Sequence, residues 1–358
     1  MSDQSRIEWI DSWKELLIFL VVLGHVVGAL AHYVSGAPRE AMSVAYRAIY
    51  LFHMPAFFLL VGVVNCLRTR KNDESFGTFA RKRARRLVLP YFIWGGFSAV
   101  VYLAFCTLTD GVGAGTTDGY YQGGMLAKSW WQPLVSLLHA GGCPNGNGFR
   151  CNSVLWFLPC MFLTLMARRA LHRVKGGWTL PVCAGCFAIG WFMRSYLGAL
   201  PWGIDRVPRF LGFVFVGEVV ARFVPCATAL KRISLWLSPM VLLYLFAARA
   251  FPDLGVCWVR GSWCLAEVGM AVWGGLASLI VACGLESRVL RVLGGASLGI
   301  MVLHKFPLMT AQMFVPQGEL ALWTCWLVVG ALSVGVTALA LLLTKLVRRW
   351  LPIALGEK

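Results

Sequence analysis

Apolar runs of about twenty residues recur from one end of this chain to the other, and few folds can use them. As helices, such runs are long enough to cross a hydrocarbon core ~30 Å thick. Ten are legible, at roughly 13–34, 46–67, 87–108, 153–173, 178–197, 207–225, 233–251, 262–284, 292–314 and 320–347. A closed barrel would need alternating strands of about ten residues, and these runs are continuous and twice that length. The expected fold class is therefore an all-α integral membrane protein, a polytopic bundle of about ten transmembrane helices. It forms a single transmembrane domain over 1–358, with a long outer loop at about 109–152.

Charge supports this reading. Only 14% of the residues are charged and 58% are hydrophobic, whereas a soluble domain carries about 25% charged residues. The net charge of +17 could suggest nucleic acid. Its distribution argues against that, because it is divided into short clusters between apolar runs, with no face broad enough to bind phosphates cooperatively. With the N-terminus inside, 22 of the 33 Lys and Arg residues fall in inside segments and 10 at the outside, Lys14 completing the count. The densest inside cluster is Arg81 to Arg86. The positive-inside rule then predicts a multi-pass protein with both termini in the cytoplasm. Polar Asp3, Glu8 and Asp11 precede the first run and no small-residue cleavage site follows it, so this run is expected to remain as the first membrane helix.

Most of the twelve cysteines fall inside the apolar runs, where Cys behaves as a small hydrophobe. Cys143 with Cys151, and Cys257 with Cys264, lie in outer connections. There an oxidising compartment would permit disulfides, and reduced thiols are the alternative. No spacing resembles a zinc site, and no metal is expected.

The first run carries a polar stripe. Lys14 and His25 are eleven residues apart, about three helical turns, so they point the same way. Asp11 lies one turn below Lys14 on that stripe. At 1.5 Å per residue, His25 sits ~16 Å above Lys14, near the bilayer midplane. An imidazole there is costly unless it faces protein or water, and its proton is mobile near neutral pH. A packing histidine is the plain alternative, as a snorkelling anchor is for Lys14. Glu218 lies four residues from Arg222, the spacing of a structural ion pair.

Five segments resemble one known family. Asp11-x-x-Lys14, ten residues, then Val-Val-Leu-Gly-His25 is similar to the opening signature of the acyltransferase family 3 membrane proteins, with Lys14 in place of the usual arginine. Leu51-Phe52-His53-Met54-Pro55-Ala-Phe57-Phe58 through Gly62 resembles the family's F-x-M-P-x-F-F-x-x-S-G helix, with Val61 where Ser is common. Lys82-Arg83-Ala-Arg85-Arg86-Leu87-Val-Leu-Pro90-Tyr91 resembles its R-x-x-R-L-x-x-P-Y segment. Val154-Leu-Trp156-Phe157-Leu158 resembles its L-W-F-L helix, and Leu303-His304-Lys305-Phe-Pro307 its late Tyr-x-x-H-x-P element.

The resemblance implies transfer of an acyl group, most often acetyl, from cytoplasmic acyl-CoA to hydroxyls of cell-surface carbohydrates. The donor would be acetyl-CoA or another acyl-CoA. The acceptor would be a lipid-linked or exported glycan, reached from a bacterial cytoplasmic (inner) membrane whose lipids surround the helices. On this reading His25 is the general base, with an acyl-histidine route as the alternative, and Lys14 with Asp11 would form an ion pair at the inner mouth. Arg83 and Arg86, with Lys82 beside them, would hold the CoA phosphates, for which arginine's planar fork is suited. His53, Trp156, His304 and Lys305 are weaker candidates for contact with substrate. Ten helices with a midplane histidine would also suit a proton-coupled secondary transporter or flippase. Such carriers are often built from inverted repeats, and no paired halves are legible here.

Overall fold

A computed structural model of the chain describes residues 8–67, 74–108, 132–140, 152–223, 237–250, 265–284, 295–312, 315 and 318–357. The helices are α1 (Glu8–Tyr33), α2 (Gly36–Leu67), α3 (Phe76–Leu108), α4 (Gln132–His139), α5 (Phe157–Ala170) and α6 (Thr179–Phe192). They continue as α7 (Val207–Phe223), α8 (Leu237–Ala250), α9 (Leu265–Gly284), α10 (Ser297–Leu303), α11 (Lys305–Gln312) and α12 (Leu322–Trp350). There is no strand among the described residues, only an isolated bridge between Val34 and Gly318. The fold is an all-α membrane protein.

Each of the ten expected spans contains helix among its described residues. Among the described residues, five stretches are long and apolar enough to cross a membrane by themselves: Trp9–Tyr33, Gly36–Leu67, Gly176–Leu197, Leu265–Cys283 and Leu322–Trp350. The others differ for visible reasons. Helix α3 begins in the arginine cluster, α5, α7 and α8 are shorter, and the ninth run is broken into α10 and α11 at His304. Among the described residues of the expected outer loop is the helix α4, which packs against α3. Cys143, Cys151, Cys257 and Cys264 lie outside the described residues.

Helices α1 and α2 form the centre. Trp13, Leu17, Val22, Val27 and Leu30 of α1 are all buried. Helix α1 packs against α2, α9, α10 and α12, while α2 also meets α7 and α8. Lipid supplies no hydrophobic drive between helices, so close backbone approach and hydrogen bonds hold them. A Cβ on Gly62 of α2 would fall on the Val214 carbonyl of α7, and one on Gly217 of α7 would fall on the Leu59 carbonyl of α2. Trp13 Nε1 donates to Ser278 Oγ of α9 at 2.9 Å. On α12, Trp323, Leu327, Val334, Leu342 and Trp350 remain exposed, a surface suited to lipid.

Charged residues separate to two ends. At one, Lys82 pairs with Glu74 at 2.7 Å and Arg169 donates to the Glu74 carbonyl. Arg348 holds Glu357 through bonds of 2.8–3.0 Å, and Arg85 donates to the Glu357 carbonyl at 3.5 Å. At the other end Arg249 pairs with Glu40 at 2.9 Å, and Ser35 N donates to the Gly318 carbonyl at 3.3 Å. Lys82 and Arg169 thus share Glu74, and Arg85 and Arg348 share Glu357. Proline helps to build that end. Pro90 in α3 has no N–H for the Arg86 carbonyl, and Gly356 packs there, so close that an added Cβ would lie 2.6 Å from Arg86 Cα.

Candidate active site

His25 is placed by glycines. A Cβ on Gly24 would lie 3.0 Å from Tyr50 Cε2, and one on Gly28 would lie 2.8 Å from the Tyr46 ring. The two glycines are one turn apart on α1 and the two tyrosines one turn apart on α2. The antiparallel helices therefore close with each aromatic ring against a bare backbone. The Tyr46 and Tyr50 rings lie 4.0 Å apart between centroids, tilted by 32°. The result puts Tyr50 Oη 3.0 Å from His25 Nδ1 and 3.5 Å from its Nε2. His25 itself is partly buried.

Two further histidines close on the same point. The His304 ring lies 5.3 Å from that of His25, tilted by 33°, and the His53 ring lies 4.7 Å from that of Tyr50. Lys305, His304 and His53 are all within electrostatic reach of His25. Lys305 is buried at 6% exposure, His53 at 2% and His304 at 0%. A cation and three imidazoles in one apolar bundle are costly, and such groups mark functional sites by default.

Hydrogen bonds assign the tautomers. His53 Nδ1 lies 2.9 Å from the Ile49 carbonyl, and His304 Nδ1 lies 2.9 Å from the Ile300 carbonyl. A carbonyl only accepts, so both Nδ1 atoms carry hydrogen and both Nε2 atoms carry a lone pair. His304 Nε2 is buried with no hydrogen-bond partner among the described residues, a deficit of about 1–3 kcal/mol in a finished core. His25 has two choices, because Tyr50 Oη both donates and accepts. With His25 Nδ1–H donating to Tyr50, Nε2 is free to take a proton.

The break at His304 has a local cause. The backbone bonds His304 N to Ile300 O (3.0 Å) and Leu308 N to His304 O (3.1 Å) are kept. Pro307 has no N–H to give the Leu303 carbonyl, and the helix is interrupted there. Broken backbone at this depth is tolerated only where protein or an internal cavity surrounds it.

Asp11 and Lys14 are half-buried at the start of α1, below His25. Of the expected phosphate-binding residues, Arg83 is half-buried with its guanidinium 5.0 Å from the centroid of the Phe79 ring. Arg86 is exposed beneath the C-terminal segment, and Lys82 is exposed and paired with Glu74. Trp156 belongs to a different group. It lies near-parallel to Phe210 at 6.0 Å, with the Arg206 guanidinium 4.5 Å from its ring centroid and Asp205 beside Arg206 at 3.8 Å.

Glu218 is paired, but with Arg168 of α5 rather than Arg222. Two parallel bonds of 2.7 and 2.9 Å join them. The bidentate fork across two helices outcompetes the neighbour on the same helix. Tyr50 is absent from the sequence reading, although a signal existed. Gly24-x-x-x-Gly28 on one helix and Tyr46-x-x-x-Tyr50 on the next are matching small and large ridges. Among the described residues, no group of three or more His, Cys, Asp or Glu side chains is disposed to hold a metal ion.

Comparisons with known proteins bear on what this arrangement does. A family model described as an acyltransferase domain matches residues 7–345. Nodulation protein NolL of Sinorhizobium fredii (strain NBRC 101917 / NGR234) is 32% identical over 133 residues, which is 36% of this chain and 34% of the relative. Nodulation protein NolL of Mesorhizobium japonicum (strain LMG 29417 / CECT 9101 / MAFF 303099) is 32% identical over 84 residues, 24% of this chain and 21% of the relative. The chain thus spans about a third of the length of the first relative and a fifth of the second. No solved structure matches it.

Proposed function

The chain belongs to the acyltransferase-domain family, and from that premise we propose that it is an integral membrane O-acyltransferase. It moves an acyl group, acetyl in the first instance, from cytoplasmic acyl-CoA to a hydroxyl of a lipid-linked or exported glycan. The observation that carries this reading is His25: partly buried within the bundle, beside the His304 ring, and with Tyr50 Oη 3.0 Å from its Nδ1. That is the geometry of a base oriented by a second group.

The donor arrives at the end where Arg83 and Arg86 lie. This end is cytoplasmic, as are both termini, in the inner membrane of a bacterium. The nucleotide of CoA stays among those arginines, and its pantetheine arm carries the thioester to His25. The acceptor hydroxyl gives its proton to His25 Nε2 as its oxygen attacks the thioester carbonyl. Lys305, buried beside His25, balances the charge that develops on that oxygen. Lys14 and Asp11 hold the lower part of α1 where the donor passes. An exported oligosaccharide, within the carbohydrate class that the family resemblance implies, is the first acceptor to try.

The test uses purified protein, labelled acetyl-CoA and a crude cell-surface glycan extract. Transfer to the glycan is expected from the wild type and not from His25→Ala. Arg83→Ala with Arg86→Ala is expected to abolish CoA binding, whereas His25→Ala keeps it. One observation favours a second reading, a proton-coupled carrier: the helix broken at His304, as transporter helices often are. Failure to bind CoA, together with proton-driven solute uptake in proteoliposomes, would establish that reading instead.

A further inference from the structure

The base reading leaves His304 without a task. A histidine that merely packs satisfies both ring nitrogens. Here Nδ1 is bonded to the Ile300 carbonyl and Nε2 to nothing among the described residues. The unmet atom is a lone pair, since the ring proton is committed to Nδ1. It belongs to a ring 5.3 Å from that of His25, and His304 has no accessible surface while His25 has some. Of the two rings, His25 is therefore the one that keeps exposed surface for a substrate, and His304 is its fully buried neighbour.

We propose that His304 Nε2 is the second station for the transferred proton, so that His25 and His304 act as a proton-sharing pair. The inference rests on the reading of His25 as the base. In the transfer, the acceptor C–O–H gives its proton to His25 Nε2 while its oxygen bonds to the thioester carbon. His25 then holds two N–H groups, one on Tyr50 Oη and one in need of an acceptor. The lone pair of His304 supplies it. The C–S bond breaks, the electron pair leaves with sulfur, and the proton passes from the pair to the thiolate, releasing CoA–SH. No outside oxidant or co-reactant is required. Both imidazoles begin and end neutral, and Lys305 beside them keeps its own charge throughout.

The neighbouring sequence suits this role. The break at Pro307 holds residue 304 at the end of α10, and the retained bond from His304 N to Ile300 O keeps the ring from rotating with α11. His53 has the same tautomer but stands behind the Tyr50 ring, so it is not in line between His25 and an acceptor.

Three variants test the pair in the full-length protein, with labelled acetyl-CoA and the glycan extract as substrates: His25→Ala, His304→Ala and His304→Gln. His304→Ala is expected to lower kcat about a hundredfold, with KM for acetyl-CoA within about twofold of wild type. Added imidazole restores a large part of that rate, and the rate of the wild type shows two protons in flight in mixed H2O and D2O against one in His304→Gln. The proposal is overturned if both His304 variants turn over like the wild type while His25→Ala is dead, which would leave the base reading standing. It is equally overturned if His304→Ala is inactive, beyond imidazole rescue and lower in melting temperature, since that is a structural loss. Activity in His25→Ala would sink the base reading itself.

Discussion

Replacing Tyr50 by Phe removes one atom, the hydroxyl that sits 3.0 Å from His25 Nδ1. The ring keeps its place, because the contact with Gly24 is made by ring carbons. The fold should therefore lose only one hydrogen bond, about 1 kcal/mol. The reaction should lose more. In the base reading, the Nδ1–H bond to Tyr50 selects the tautomer with a free Nε2 and strengthens as the ring becomes an imidazolium. A hydrogen bond to a charged group is worth about 1.5–3 kcal/mol. At 1.36 kcal/mol per factor of ten, this is a fall of roughly 10- to 150-fold in kcat. The loss belongs to kcat because Tyr50 lies on the core pair of helices and the CoA nucleotide would bind at the arginine end. Initial rates of acetyl transfer over a range of acetyl-CoA concentrations measure both constants, and the melting temperature in detergent controls for folding. A Tyr50→Phe enzyme with wild-type kcat, or one whose defect lies in KM alone, would refute the argument. Gly24→Ala gives a second handle, because its Cβ would lie 3.0 Å from the Tyr50 ring and 3.1 Å from Ile49. It should lower kcat while the hydroxyl is still present.

Two further outcomes concern the scaffold. Arg168→Ala strands the Glu218 carboxylate, whose side chain is 11% exposed, and should cost about 3–5 kcal/mol. Pairing Arg168→Met with Glu218→Leu should return most of it, as a comparison of detergent melting temperatures would reveal. Gly356→Ala meets both a left-handed backbone at φ +66° and the Arg86 backbone at 2.6 Å. It should cost about 1–2 kcal/mol for the backbone alone, unseat the C-terminal segment from α3 and raise KM for acyl-CoA. An unchanged KM would mean that this segment does not shape the arginine cluster.

Apolar length was enough to read an all-helical membrane chain, because lipid forces every backbone group into helix. The polar stripe of α1 was legible for the same reason, since Lys14 and His25 share a face by helical repeat alone. What meets that face depends on contacts between distant segments, which no local pattern encodes. His53, His304 and Lys305 read as separate, weaker candidates along the chain, and only the packing of α1 against α2 and α10 brings them to His25. Tyr50 was overlooked because a tyrosine in an apolar run is ordinary, and its meaning comes from the bare backbone at Gly24 opposite. Glu218 was given the neighbour at i+4, yet a bidentate partner on another helix binds it better, which helical spacing cannot express. The tautomer of His304 and its unmet nitrogen are likewise products of tertiary structure, because hydrogen-bond satisfaction depends on every group that the fold brings within 3 Å.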